Sequence, residues 1–217
     1  MLPTTPDKFQ NAIPFPHLVI DGWLADAAVK MVNIEWPESG WKEYQKQKRG
    51  MSQGLPPCAQ VLSSNLSRQY FIDGLEAATG ISGLVFDPEQ KGAGLHETLE
   101  GGSLGMHVDF NTIEINRVLQ LRRVNVILFL TMSTQNLRNA SLRLASAALN
   151  PDVQIMIEPR PGRMVIMESS DRSWHGHPFP LITREGQTRR TFAAYYYTRE
   201  PGPHSSEKHS TIYSKAK

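Results

Sequence analysis

The sequence predicts a mainly β fold, a sandwich or jelly roll backed by N-terminal helices, and two observations carry that expectation. Helical periodicity is confined to the front of the 217-residue chain. After Gly94 the pattern changes to short apolar or alternating runs separated by turn residues. Helices first and then short strands with turns between them suit sheet stacked on sheet.

Taken in order, residues 1–20 mix prolines with apolar residues (Ile13-Pro14-Phe15-Pro16-His17-Leu18-Val19-Ile20) and read as an extended entry segment or edge strand. From Asp26 to Glu35, the residues Ala27, Ala28, Met31, Val32 and Ile34 suit a short amphipathic helix, with Asp26 as N-cap and Pro37 as stop. Trp41 to Pro57 is polar, carries aromatics and has no clear period, so it reads as a long loop. A second helix is expected from about Ser64 to Thr79. Leu66, Tyr70, Ile72, Leu75 and Ala78 lie near helical spacing there, with Gly80 as the stop.

The strands begin beyond Gly94. Arg123 to Thr131 is apolar on both faces, as a strand packed inside a sandwich requires. Ser141 to Ala145 alternates. Val153 to Ile157 and Arg163 to Met167 follow, separated by the turn signal Glu158-Pro159-Arg160-Pro161-Gly162. Thr191 to Thr198 is the last strong strand. The organisation expected is one domain over 1–217: a helical and loop support region over 1–90, a β core over 91–200 and a polar C-terminal tail over 201–217.

Composition narrows the class. The apolar fraction of 40% is enough for a core, and no stretch approaches a membrane span. The N-terminal residues lack the charged head and apolar middle of a signal peptide, so a soluble cytoplasmic protein is expected. The single cysteine, Cys58, excludes internal disulfides and a cysteine-rich metal site, and with no obvious basic neighbour it reads as inert. A net charge of +2, with only Lys46, Lys48 and Arg49 tightly clustered near the front, does not argue for nucleic acid.

The chemistry concentrates in Gly101-Gly102-Ser103-Leu104-Gly105-Met106-His107-Val108-Asp109-Phe110-Asn111. Residues i and i+2 of a strand point to one face, so His107 and Asp109 can reach one ion. A lone H-x-D is weak by itself. Its weight comes from the ordered set, with Ser173-Trp174-His175-Gly176-His177-Pro178 after several strands and then Arg189 at the head of the last one. Two histidines and one carboxylate on one face of a metal leave the opposite positions open, as oxygen-activating iron sites need.

These segments, with Arg122-Arg123-Val124-Asn125-Val126, Pro161-Gly162-Arg163, Glu168-Ser169-Ser170-Asp171 and Arg189-Arg190-Thr191 leading to Tyr195-Tyr196-Tyr197, resemble the Fe(II)/2-oxoglutarate-dependent oxygenases of the prolyl 4-hydroxylase-like branch. The likeness covers roughly residues 90–213. It implies a double-stranded β-helix (jelly-roll, cupin-like) core, Fe(II) held by His107, Asp109 and His175, and 2-oxoglutarate and O2 as co-substrates, with ascorbate as a supporting reductant. His175 occupies the family's position, which makes His177 a supporting donor or a packed residue; His96 falls near the rim or is exposed. Arg189 and Thr191 resemble the family's pair for the far carboxylate of 2-oxoglutarate, to which arginine offers a two-pronged match. Arg190 then faces away from the barrel. Asn125 is a candidate hydrogen-bond partner of the co-substrate, a satisfied core amide being the competing role.

The reaction implied is hydroxylation of an unactivated C–H, coupled to oxidative decarboxylation of 2-oxoglutarate to succinate and carbon dioxide. The carboxylate of Asp109 favours hydroxylation over halogenation. One departure is the segment Thr131 to Ala140, where relatives usually carry a tryptophan and a Gly-Gly pair. It favours a small molecule, amino acid or peptide substrate over a proline in a protein. Trp41, Tyr44, Arg49 and Arg143 are the candidate substrate contacts, the first three on the expected front loop acting as a lid. The competing readings are a prolyl hydroxylase acting on a protein, a non-catalytic cupin-like binding module and a hydrolytic zinc enzyme. Neither nucleic acid nor membrane is expected as partner.

Overall fold

Alternation along two long strands decides the architecture. On Val118–Phe129 the residues Val124, Val126 and Leu128 are fully buried on one face and join the same core as Phe192, Ala194 and Tyr196 of Arg189–Thr198. The intervening residues Asn125, Ile127 and Phe129, with Thr191, Ala193 and Tyr195, line the other face. Both faces must therefore be covered, one by helices and one by a second sheet.

The computed structural model describes residues 2–3, 6–45, 47–147, 154–184, 186–199 and 207–214. The front half holds α1 (Pro6–Gln10), β1 (His17–Ile20), α2 (Asp26–Ile34), β2 (Lys42–Gln45), β3 (Lys48–Met51), α3 (Pro57–Ser67), α4 (Gln69–Thr79) and β4 (Val85–Phe86). The β core follows with β5 (Gly94–Thr98), β6 (Leu104–Val108), β7 (Thr112–Ile115), β8 (Val118–Phe129), β9 (Leu142–Ala145) and β10 (Gln154–Ile157). It closes with β11 (Met164–Glu168), β12 (Trp174–His177), β13 (Arg189–Thr198) and β14 (Ile212–Tyr213). A nine-stranded sheet runs β1-β11-β8-β13-β5-β3-β2, with β4 and β7 attached to it, and faces a five-stranded sheet of order β10-β9-β12-β6-β14. This is the jelly-roll expected, and β1 is indeed an edge strand.

Leu62, Leu66, Phe71, Ile72 and Leu75 press α3 and α4 onto the outer face of the large sheet. Each such side chain contributes about 1.5–3 kcal/mol when fully buried. Phe15, Phe129, Leu142, Leu144, Val165 and Met167 fill one part of the space between the sheets.

Two expectations are corrected. Trp41 to Pro57 is not a loop, since it contains the paired strands β2 and β3, which extend the large sheet beyond β5. Its polar residues suit a sheet margin where Lys48 faces the interior and Arg49 the outer side. The single helix anticipated at 64–79 is two, broken at Arg68, whose extended backbone (φ −70°, ψ 145°) interrupts the helical ladder. α3 starts back at Pro57, because proline at the first helical position gives up only an N–H that has no helical partner. Within the polar tail, Ile212 and Tyr213 form β14 and pair with β6; residues 201–206 and 215–217 lie outside the described residues. Among the described residues no helix is long and apolar enough to cross a membrane.

Candidate metal and co-substrate site

The site lies between the sheets at the end of β6. His107 of β6 and His175 of β12 face each other directly across an antiparallel pair, their ring centroids 4.3 Å apart. Asp109 follows the last residue of β6, two positions after His107. The register of β12 shifts between His175 and His177. Gly176 stands at that shift because a Cβ there would sit 2.7 Å from the carbonyl oxygens of Leu104 and Gly105. A side chain at 176 would drive β12 off β6 and pull the two histidines apart.

Each imidazole is oriented by its own strand. Nδ1 of His107 lies 2.8 Å from the Gly105 carbonyl and Nδ1 of His175 lies 2.9 Å from that of Ser173. A carbonyl can only accept, so each Nδ1 carries the proton and each Nε2 presents its lone pair. Those Nε2 atoms are 3.5 and 3.6 Å from the two oxygens of Asp109. All the ligand atoms of His107, Asp109 and His175 fall within 4.8 Å of one another, near the spread of about 3–4 Å expected of atoms sharing an ion at about 2.1 Å. Burial first, and His107 second, push His175 down to about 4, so it is neutral and able to bind a cation at pH 7. Burial works against the charge of Asp109, but the Arg122 guanidinium beside it is the largest opposing influence, and the carboxyl is held well below its usual range. The donor set fits a divalent transition metal with one face of its coordination sphere open.

Arg122 reaches this site through a bulge. Tyr196 pairs with Val124 and Tyr197 with Arg122, so Arg123 is an extra residue that turns Arg122 inward. Its guanidinium lies 4.5 Å from the Phe110 ring centroid, 3.4 Å from that of Tyr195 and 3.5 Å from Asp109. None of its three buried nitrogens is hydrogen-bonded. Asn125 donates to Asp109 at 3.1 Å, and its buried carbonyl oxygen has no partner. The amide is thus neither a satisfied core group nor wholly free: it steadies the carboxylate and keeps one acceptor over the cavity.

The cavity extends from the histidines to Arg189, with a volume of about 250 Å³. Arg189 and Thr191 share its wall, as their i, i+2 spacing requires. Arg189 is buried, its Nε donates to the Ala140 carbonyl at 2.8 Å, and burial pushes it down to about 10. Among the described residues no carboxylate lies within ion-pair distance of it. The divergent segment 131–140 therefore fixes the arginine through its last carbonyl. Lys48 lies in one row with Thr98 and Arg189 across β3, β5 and β13, and also faces the cavity. Tyr213 of β14 covers the opposite side, its ring 5.3 Å from His107.

The remaining sequence candidates separate cleanly. His177 is buried in the cavity wall with Nε2 3.4 Å from the Thr98 hydroxyl, and is not part of the metal cluster. His96 belongs to the cavity wall rather than an exposed rim, with Nε2 3.1 Å from the Gly92 carbonyl. Of the four proposed substrate contacts, Tyr44 lines the cavity. Trp41 instead packs on Trp36 and donates to the Pro37 carbonyl at 2.9 Å. Arg49 is held on the outer face by buried Glu97 at 2.6 Å, and Arg143 stacks on Phe179 at 4.6 Å. With β2 and β3 paired into the large sheet, the segments carrying Tyr44 and Arg49 are strands rather than a free loop. Arg190 does point away from the barrel, but into a network with Glu97, Thr188 and Asn33 rather than into solvent. Sequence reasoning gave no role to Lys48 or Arg122. For Arg122 a signal existed, since two adjacent arginines in an apolar strand cannot both face outward without a bulge.

Residues 93–197 match the model of the 2OG-Fe(II) oxygenase superfamily. No curated protein matches the chain by sequence. Among solved structures, a prolyl-4-hydroxylase from Pseudomonas putida is 14% identical with a TM-score of 0.59, covering 89% of this chain and 97% of its own. HygX from Streptomyces hygroscopicus, with nickel and 2-oxoglutarate bound, is 11% identical with a TM-score of 0.59 and covers 92% of both chains. A prolyl hydroxylase from Trichoplax adhaerens, in complex with a hypoxia inducible factor oxygen degradation domain peptide, is 16% identical with a TM-score of 0.58 and covers 83% of both chains. At these identities the likeness is one of fold.

Proposed function

We propose that this chain, whose residues 93–197 match the model of the 2OG-Fe(II) oxygenase superfamily, is an Fe(II)/2-oxoglutarate-dependent hydroxylase of a small molecule, amino acid or peptide. The observation that carries this reading is the pairing, in one cavity, of an open His107–Asp109–His175 cluster with Arg189, a buried cation lacking a carboxylate partner. A binding module has no need of a buried arginine aimed past an open metal site, and a hydrolytic zinc site would leave Arg189 and Thr191 unexplained.

In this reading the trio holds iron, and Arg189 with Thr191 receives the far carboxylate of 2-oxoglutarate. Iron so held would supply oxygen activation coupled to conversion of 2-oxoglutarate to succinate and carbon dioxide. The chain's own residues do the positioning. The Gly105 and Ser173 carbonyls keep both Nε2 atoms aimed inward, and Asn125 holds Asp109 in place. Tyr213 shields the histidines from water on the small-sheet side. The carboxylate of Asp109 occupies the coordination position a halide would need, which favours hydroxylation. Relatives of this fold are recorded with hygromycin B in HygX and with a peptide in the Trichoplax enzyme. A cavity of about 250 Å³ that must also accept 2-oxoglutarate favours a small group over a folded protein surface.

The test is spectroscopic. Anaerobic protein given Fe(II) and 2-oxoglutarate is expected to develop a metal-to-ligand charge-transfer band, and its absence with both present would sink the oxygenase reading. Succinate release screened over amino acids, peptides and metabolites then finds the substrate.

A further inference from the structure

We propose that the substrate is an anion bearing a carboxylate, and that Lys48 is the residue that receives it. The inference rests on the oxygenase reading and deepens it. It starts from charge. The cavity is lined by three cationic side chains, Lys48, Arg122 and Arg189, against the single carboxylate of Asp109. Away from the metal cluster, the other titratable groups His96, Tyr44 and Tyr195 add no charge at neutral pH. Burial first and Lys48 second push His96 down to about 3, and burial raises Tyr44 and Tyr195. A divalent metal and doubly charged 2-oxoglutarate would cancel each other, so the loaded cavity still carries the same positive surplus. Uncompensated buried cations are costly, and a neutral substrate would seal them in.

Geometry then separates the three. Arg122 has Asp109 at 3.5 Å and two aromatic rings against its faces. Arg189 faces the far carboxylate of the co-substrate. Lys48 has no carboxylate within ion-pair distance among the described residues. Among the described residues its hydrogen-bond neighbour is Nδ1 of His96, a neutral ring at 3.5 Å, and its ammonium stands 5.5 Å from the Tyr44 ring. Tyr44 is 41% exposed, so this side of Lys48 lies toward the opening of the cavity. Burial first and Arg189 second push the amine down to about 8, which leaves it mainly protonated at pH 7. β3 carries Lys48 inward while Glu97 grips Arg49 on the other face, so the amine is anchored rather than trailing in solvent. A compact ammonium with three donors and one weak partner is a receptor for a small carboxylate.

The experiment titrates anaerobic Fe(II)- and 2-oxoglutarate-loaded protein with N-acetylglycine, N-acetyl-L-alanine and N-acetyl-β-alanine, each against its terminal carboxamide, which carries no carboxylate, following the charge-transfer band. At least one carboxylate is expected to shift the band, with its carboxamide ineffective at about tenfold higher concentration. Lys48→Met is expected to weaken that response about 30-fold while the band forms at the same 2-oxoglutarate concentration, and Lys48→Arg to retain it. The proposal is overturned if no carboxylate shifts the wild-type band, or if acid and amide act alike. It is overturned equally if Lys48→Met weakens 2-oxoglutarate binding itself, which would place Lys48 beside Arg189 in the co-substrate subsite. Failure of the wild-type band to form at all would strike the oxygenase reading instead.

Discussion

Replacing Arg189 with methionine is expected to move stability and co-substrate affinity in opposite directions. Burial holds the guanidinium at about 10 rather than 12.5. Because the folded pKa is the lower one, the cation is disfavoured by folding, and at pH 7, where both states are protonated, the full penalty of roughly 3 kcal/mol is present. Methionine removes that penalty and keeps most of the packing against Phe129. It also removes the hydrogen bond to the Ala140 carbonyl, worth about 1 kcal/mol. The net expectation is a protein free of metal and co-substrate that is about 2 kcal/mol more stable, melting several degrees higher by differential scanning fluorimetry. Loss of the fork proposed to receive the far carboxylate is expected to cost about 2–5 kcal/mol of binding, a fall of about 30- to 5,000-fold in 2-oxoglutarate affinity by charge-transfer titration. A variant that melts lower and binds 2-oxoglutarate within threefold of wild type would refute the reasoning on both counts.

Three further outcomes are expected. His175→Ala should abolish Fe(II) binding measured by anaerobic titration, whereas His177→Ala should leave it within a few-fold; the reverse order would exchange their roles. Glu97→Ala should destabilise the fold by about 3 kcal/mol in urea unfolding at pH 7, since it strips Arg49, Arg190 and Thr188 of a buried acceptor. Burial opposes that carboxylate's charge, but Thr188 and the two arginines outweigh it and lower its pKa. Its contribution is therefore present above the unfolded carboxylate range and is lost as pH falls through the folded value, so the gap between variant and wild type should close under acid. Gly176→Ala should cost about 2–4 kcal/mol by pushing β12 off β6, and should weaken metal binding although no ligand is changed; unaltered metal affinity would show that the strands have room to give.

How far the site was legible depended on whether its chemistry needs a particular residue type at a particular spacing. His107 and Asp109 are readable because two ligands on one side of a chain must be i and i+2, and β8 and β13 are readable because a strand covered on both faces must be apolar throughout. β2 and β3 fail that test. They form a sheet margin where Lys42, Glu43, Tyr44 and Gln45 stay largely outside the core, so their alternation carries no apolar signal. Pro56-Pro57 reads as a break, whereas Pro57 opens α3, because the same missing N–H that ends a helix is harmless at its start. The turn of chain at Arg68 has no glycine or proline to announce it, although Leu66 and Phe71 on either side of it pack into one core.

The least legible residues are those now asked to choose the substrate, and the reason is physical. A metal ligand is recognised by its type, but a cavity cation is recognised by what it lacks, and a missing partner is a property of the fold. Lys48 and Arg49 are adjacent basic residues with opposite fates, because one strand register sends Arg49 to Glu97 on the outer face and leaves Lys48 beside a neutral histidine within. Arg122 and Arg123 also have opposite fates, and the bulge at Arg123 decides that Arg122 is the one turned inward. The iron-binding reading therefore rests on residues that sequence could name, while the substrate reading rests on the charge that folding leaves unpaired. The two can fail separately, and a loaded protein that forms its charge-transfer band yet ignores every carboxylate would discard only the second.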